Sequence, residues 1–173
     1  MIRTVPLLSI LLALSAAPGL AQVPRGYAPV APEVRERAEE SSAWRLQTGV
    51  EALQAKNFVV AETVFEEVLK RDNRNPSVNF MMGVTKMSLE KWPEARRYLE
   101  IAVRGDPKNP DPKSRLGVTL IKLGDMDAAM DQRAALVKMS EACKGQCRLS
   151  EYISGGIAMI DSARPPAAPP SGP

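Results

Sequence analysis

A spacing of 34 residues that recurs through the middle of the chain constrains the fold more than any other feature. Gly49, Gly83 and Gly117 are separated by 34 residues each time. The same period is kept by two further series, which are Ala61, Ala95 and Ala129, and Phe58, Trp92 and Met126. A period of this length suits a unit of two helices joined by a turn, because it is too long for a single helix or strand. The spacing therefore predicts similar helix pairs stacked side by side, each burying an apolar face against the next.

The residue types at these positions fit the parts of a helix pair. Glycine on the first helix and alanine on the second let two backbones approach closely, and the large apolar residue lies at the turn between them. Pro76, Pro93 and Pro112 suit the first turn of a helix, where the missing N–H costs nothing. Asn57 and Asp125 are predicted N-cap residues of second helices. The sequence thus predicts both the existence of the helices and where several of them begin.

A fourth series is broken in its last copy. Phe65 and Leu99 are apolar, but Arg133 follows them in the same register. The last repeat helix is therefore expected to be looser or more exposed than the others.

These residues resemble the tetratricopeptide repeat, a helix-turn-helix unit of the same period. The middle copy, MMGVTKMSLEKWPEARRYLEIAVRGDPKN, matches most fully, through Gly83, Trp92, Ala95, Leu99 and Pro107. The resemblance implies an all-α fold, a right-handed α-solenoid of three helix hairpins at about residues 42–75, 76–109 and 110–143. Apolar residues from Leu149 to Ile160 recur at helical spacing, which predicts a capping helix at about residues 149–162 and a repeat domain over residues 33–162. The Gly155-Gly156 pair within this helix marks either a close packing contact or a kink.

The two ends of the chain have a different character. Arg3, an apolar run from Leu7 to Ala17 and a small-residue end are the layout of a secretory signal peptide over residues 1–21. We expect cleavage between Ala21 and Gln22, with an uncleaved anchor as the alternative. Residues 22–32 are expected to form a flexible lead-in, and residues 163–173 a proline-rich disordered tail. The predicted location is the periplasm, with secretion as the alternative, and the mature chain is not expected to span a membrane.

Composition argues against several classes of function. The chain has no histidine, which is the commonest general base and the commonest metal ligand. The net charge of +3 comes from intermixed acids and bases, and the aromatic fraction is only 5%, so no nucleic-acid surface is expected. The carboxylates are interleaved with basic residues, as on solvated helix faces. We therefore expect no enzyme activity, no metal and no cofactor.

The resemblance implies that the chain acts by binding, because first helices of tetratricopeptide repeats line a concave groove for a peptide or a helix. Carried over position by position, the predicted groove includes Leu46, Val50, Phe80, Met81, Val84, Met87, Arg115, Val118 and Lys122. Ser114 also falls on this surface, whereas Met82 takes a packing position. A set of lysine, asparagine and arginine that clamps a carboxylate is not matched, because only Arg115 fits it. An apolar or amphipathic helical partner is favoured instead.

Three hypotheses about function follow. The leading one is an exported scaffold, adaptor or assembly factor that binds an unidentified protein or peptide of the cell envelope. The first alternative is a self-associating structural protein in which the groove meets another copy. A thiol oxidoreductase built on Cys143 and Cys147 is the second alternative.

The two cysteines lie in ACKGQC, between the last repeat helix and the predicted cap. A redox pair usually has two intervening residues, whereas Cys143 and Cys147 have three. A zinc site would need four ligands that the chain does not supply. Export would place the pair where disulfides persist, so a structural disulfide is predicted. Residues four apart on a helix lie too far apart for that bond, so the helix is expected to break, with Gly145 allowing the break.

Overall fold

The computed structural model describes residues 32–166, with side chains from residue 43 onward. The predicted signal peptide with its cleavage site at Ala21 and Gln22, most of the lead-in and tail residues 167–173 lie outside the described residues. Seven α-helices run in order along the described chain: α1 Pro32–Gln54, α2 Phe58–Leu69, α3 Pro76–Ser88, α4 Trp92–Gly105, α5 Pro110–Lys122, α6 Met126–Cys143 and α7 Ser150–Ala163. No strand occurs between residues 32 and 166, so the all-α prediction is confirmed.

The first six helices form three consecutive hairpins, α1–α2, α3–α4 and α5–α6, and α7 packs against both α5 and α6. Each hairpin turn has a residue with left-handed backbone, and these residues recur in the same register as Lys56, Glu90 and Gly124, with φ of 59°, 56° and 80°. The three second helices begin at Phe58, Trp92 and Met126. The periodic large residue therefore marks the first position of each second helix.

The predicted helix starts are confirmed in detail. The side chain of Asn57 accepts a hydrogen bond from the backbone N–H of Val60, and that of Asp125 accepts one from Ala128. Pro76 is the first residue of α3 and Pro93 the second residue of α4. Local sequence therefore fixes where these helices begin, independently of how they pack.

Close packing at the periodic glycines has two different origins. A Cβ atom at Gly49 would lie 2.5 Å from Phe65, and one at Gly83 would lie 2.6 Å from Leu99, so each glycine contacts the second helix of its own hairpin. A Cβ atom at Gly117 would instead lie 2.5 Å from Ile160 of α7. The capping helix thus supplies the apolar side chain that Arg133 does not.

Helix α6 is less buried than α2 and α4, as the sequence predicts, with only Ala129 and Leu136 buried among its 18 residues, but Arg133 itself is paired. Its guanidinium donates two hydrogen bonds to Asp161 of α7, Nε to Oδ1 at 2.6 Å and Nη2 to Oδ2 at 2.8 Å. This ion pair lowers the pKa of Asp161 from its ordinary value and raises that of Arg133. The residue that interrupts the apolar series is therefore the one through which α6 binds the capping helix.

The core consists of three buried clusters in a row along the stack. The first is centred on Phe65 and Met82, the second on Leu99 and Leu120, and the third on Leu136, Ile153 and Ile160. The third cluster lies between α6 and α7. No helix within residues 32–166 has the length and apolar content needed to cross a membrane.

Candidate functional site: the groove face and its junction with the cap

The nine predicted groove residues all lie on first helices of the hairpins, namely α1, α3 and α5. Eight of them are half-buried and only Lys122 is exposed. On α3 the fully buried positions are those facing the other helices, including Val78, Met82 and Thr85. The first helices also contact their neighbours in the row, α1 with α3 and α3 with α5. The predicted groove residues thus form a partly exposed, mostly apolar face along three consecutive helices.

Several residues of this face also contribute to the core. Leu46, Val50 and Met81 pack against the first buried cluster, and Phe80 and Met87 pack against the second. Met82 is fully buried, as its position predicted. A ligand on this face would therefore cover side chains that are already held on their inner side, which reduces the entropy cost of binding.

The ammonium of Lys122 turns toward the neighbouring hairpin. Its Nζ atom lies 5.8 Å from the centroid of the Trp92 ring, a cation–π distance. The contact joins the end of α5 to the start of α4. Lys122 therefore links two neighbouring hairpins in addition to lying on the groove face.

The far end of the groove face is closed by α7, which forms a cavity of about 660 Å³ with α3 and α5. Its lining comprises Phe80, Asp111, Ser114, Arg115, Glu151, Tyr152, Gly155, Gly156 and Met159. Phe80 and Arg115 are predicted groove residues from two different repeats. This cavity is where the structure brings groove residues of successive repeats together with the cap.

The contact between α5 and α7 corrects one sequence-based assignment. Ser114 was expected on the open groove, but it is 2% exposed. The reason is Gly156, where a Cβ atom would lie only 3.0 Å from the Cβ of Ser114. The glycine pair thus marks a close contact, and α7 continues through it from Ser150 to Ala163. Gly155, by contrast, faces open space.

The apolar stripe predicted for the capping helix is only partly buried. Ile153 and Ile160 are buried in the third cluster, but Leu149 is 39% exposed and Tyr152 is 58% exposed. Tyr152 lines the cavity instead of the core. Sequence reasoning assigned α7 a purely structural role and missed its contribution of Tyr152 and Met159 to the groove end. The only sequence signal for this role is that α7 has two more large residues, Tyr152 and Met159, than a narrow buried stripe needs.

The link between α6 and α7 sets the position of the cap. Cys143 and Cys147 form a disulfide, and both residues pack against the third buried cluster. Helix α6 ends at Cys143, and Lys144 and Gly145 then adopt left-handed backbone with φ of 51° and 71°. The helix therefore breaks between the cysteines as the bond requires, and the break begins at Lys144, one residue before the predicted glycine.

No protein-family model matches the chain, and no curated protein matches it either. Several solved structures have a similar fold. The PcrH structure with the chaperone binding region of PopD has a TM-score of 0.64 at 17% identity, covering 72% of this chain and 92% of that chain. The translocator chaperone SycD of Yersinia enterocolitica has a TM-score of 0.61 at 14% identity, covering 75% and 95%.

A third similar structure is the TPR2B domain of yeast Sti1. Its TM-score is 0.59 at 18% identity, and the match covers 71% of this chain and 98% of that domain. The hairpin order, the periodic contacts at Gly49 and Gly83 and these likenesses agree. The chain has a tetratricopeptide-repeat-type fold.

Proposed function

We propose that this protein is a non-catalytic, exported interaction module of the cell envelope that binds an amphipathic helix or extended peptide of another protein. The observation that carries the proposal is the half-buried apolar face of α1, α3 and α5, which ends in the cavity beneath α7. PcrH was solved with a region of PopD, and SycD with a peptide of the translocator YopD. Those complexes support a protein or peptide partner for a fold of this type.

The chemistry of the face favours an amphipathic segment. Val50, Met81, Val84 and Val118 offer apolar contact, and methionine adapts its shape to a partner. Arg115 at the cavity provides one cation that can pair with an acidic residue or a helix C-terminus. The partner would place its apolar side on the groove and one large side chain in the cavity.

A photoreactive residue at Val84, introduced in the native host, tests whether a partner lies on the face. Crosslinking from Val84 should capture a distinct envelope protein, and crosslinking from Lys138, which is exposed on α6, should not. Capture of the same chain alone would support the self-associating alternative. Capture of the same proteins from both positions would contradict the groove assignment.

Filling the cavity tests the site without unfolding the protein. Gly155→Met places a side chain into open space at the cavity wall and replaces glycine inside a helix, so stability should rise by about 1 kcal/mol. Partner capture from Val84 should nevertheless fall. Ala158→Met, on the exposed side of the same helix, is the matched control and should leave capture unchanged. Full capture by the stable Gly155→Met protein would show that the cavity is not part of the site.

Export is part of the proposal and has its own test. The signal-like segment and the disulfide between Cys143 and Cys147 support an oxidising compartment. Fractionation should recover the protein from the periplasm with Gln22 as its first residue. Intact-mass measurement of a cytoplasmic, uncleaved protein would contradict this location.

A further inference from the structure

A second cavity, of about 810 Å³, lies between the second helices α2 and α4 and shares no residue with the groove face. Its wall carries Lys70, Arg74, Arg97 and Arg104, and its one acidic residue is Glu66. The entire chain has 23 basic and 20 acidic side chains, so four cations against one anion in a single cavity is a strong local excess. Among the described side chains, Lys70, Arg74 and Arg97 form no ion pair.

Hydrogen bonds with Asn79 and Asp72 hold the loop that carries Arg74 in place. Asn79 is fully buried, and its Nδ2 donates hydrogen bonds to the carbonyls of Asn73 at 3.0 Å and Asn75 at 2.8 Å, on either side of Arg74. The backbone N–H of Arg74 donates to Asp72 at 3.2 Å. A fixed loop spares a ligand the entropy cost of ordering it.

On the opposite wall, Arg97 is oriented by its neighbour Tyr98. Its Nη2 donates to the Tyr98 hydroxyl oxygen at 2.8 Å, and the guanidinium carbon lies 4.6 Å from the ring centroid. Because the Tyr98 oxygen accepts this bond, its own O–H remains available to donate to a ligand. Arg97 and Tyr98 together present donors suited to a carboxylate.

Part of the remaining cavity surface is apolar, beside the polar side chains of Asn73 and Asn79. Leu69 is almost completely buried, and Tyr98 and Ile101 are half-buried along the wall. A free anion would leave this surface uncovered, whereas a peptide with alternating acidic and apolar side chains would pair the cations and cover it. The volume is also within the usual range for ligand cavities, roughly 300–1,000 Å³.

We propose that this cavity is a second binding site, which recognises an acidic segment of a protein partner. It does not depend on the groove. A partner with an amphipathic segment and an acidic segment could engage both sites, and the linkage would raise its affinity without new contacts.

The test is a titration of the full protein with a fluorescein-labelled peptide of alternating glutamate and leucine, followed by anisotropy. At low salt, the affinity for the glutamate peptide should be at least about tenfold higher than the affinity for the same peptide with glutamine in place of glutamate. Raising the salt from about 0.05 M to about 0.3 M should weaken binding, because exposed charges are screened. Equal affinity for the two peptides would overturn the proposal.

Substitutions locate the site. Arg74→Gln with Arg97→Gln should reduce affinity for the glutamate peptide about tenfold. The control pair Lys108→Gln with Lys138→Gln removes the same charge elsewhere and should leave affinity unchanged. Both altered arginines are exposed, so folding should be retained, which circular dichroism checks. Unchanged affinity in the arginine double variant would refute the assignment.

Competition distinguishes other anions from an acidic peptide. Inorganic phosphate at about 10 mM should weaken peptide binding only as much as sodium chloride of equal ionic strength does. Phosphatidylglycerol vesicles should not displace the peptide. Displacement by phosphate would indicate a small-anion site and displacement by vesicles a membrane-binding surface, and either result overturns the proposal.

Discussion

The contact between Gly117 and Ile160 leads to a prediction that the repeat pattern alone would not make. In the first two hairpins the glycine packs on its own partner helix, but Gly117 packs on the capping helix, with Ile160 Cδ1 and Cγ1 at 2.5 Å and 2.7 Å from an added Cβ. The change in unfolding free energy caused by Gly117→Ala should therefore depend on the residue at position 160. It should not depend on Arg133, the third member of the series that begins with Phe65 and Leu99.

The magnitude follows from two opposing terms. Alanine in place of a helical glycine gains about 0.5–1 kcal/mol, while forcing a methyl group into a packed contact costs about 1–3 kcal/mol. The single variant Gly117→Ala should thus lose about 1 kcal/mol of unfolding free energy. Ile160→Ala removes a fully buried side chain and should lose about 2–5 kcal/mol.

The double variant tests the contact itself. Without the Ile160 side chain the added methyl meets no clash, so Gly117→Ala should stabilise the Ile160→Ala background by about 0.5–1 kcal/mol. The coupling energy of the cycle should therefore be about 1–3 kcal/mol. Urea unfolding followed by circular dichroism gives all four free energies.

Gly155→Ala supplies the control, because an added Cβ there meets nothing within 4 Å. It should stabilise both backgrounds equally. If Gly117→Ala had the same effect with and without Ile160, the cap would not pack on that glycine, and the account of the third hairpin would be wrong.

The remaining predictions concern the hairpin turns, the buried lysine and the two links to the cap. Glu90→Gly should raise the unfolding free energy by up to about 1 kcal/mol in urea unfolding, because Glu90 has φ of 56°; a loss would show that this backbone is not strained. Lys86→Met should cost about 1–3 kcal/mol at neutral pH, because Lys86 is buried and pairs with Glu62 and Glu94. Since Lys86 lowers the pKa of Glu62, this stability is present above the ordinary carboxyl pKa and is lost as pH falls through the lowered pKa, so wild type and variant should converge in acid unfolding curves. Asp161→Asn should cost about 1 kcal/mol near neutral pH, and because Arg133 lowers the pKa of Asp161, that cost should likewise vanish below the lowered pKa; a constant difference down to strong acid would contradict the ion pair. Cys143→Ser with Cys147→Ser should cost about 2 kcal/mol, because the bond closes only a short loop, and alkylation of the mature protein without reductant should add no mass; addition of label to both cysteines would mean that the thiols are free.

The sequence by itself determined the repeating part of the fold. Local chemistry sets the helix starts, because Asn57, Asp125 and Pro76 act on backbone groups within a few residues of themselves. The period in Gly49 and Gly83 also predicts close helix contacts, since each glycine meets the same type of partner within its own hairpin. Signals that depend on short separations can be interpreted without knowing the rest of the molecule.

What only the tertiary structure decided is how the stack ends and where its cavities lie. Ile160 on Gly117, Asp161 on Arg133 and Gly156 on Ser114 all join α7 to the last hairpin. The cations of the second cavity lie directly after α2, on α4 and in the loop before α3. The period does not predict these contacts, because each depends on the angle at which one helix meets another. That angle is set by the packing of the whole stack; ACKGQC predicts the disulfide and the helix break after α6, but not the direction in which α7 continues.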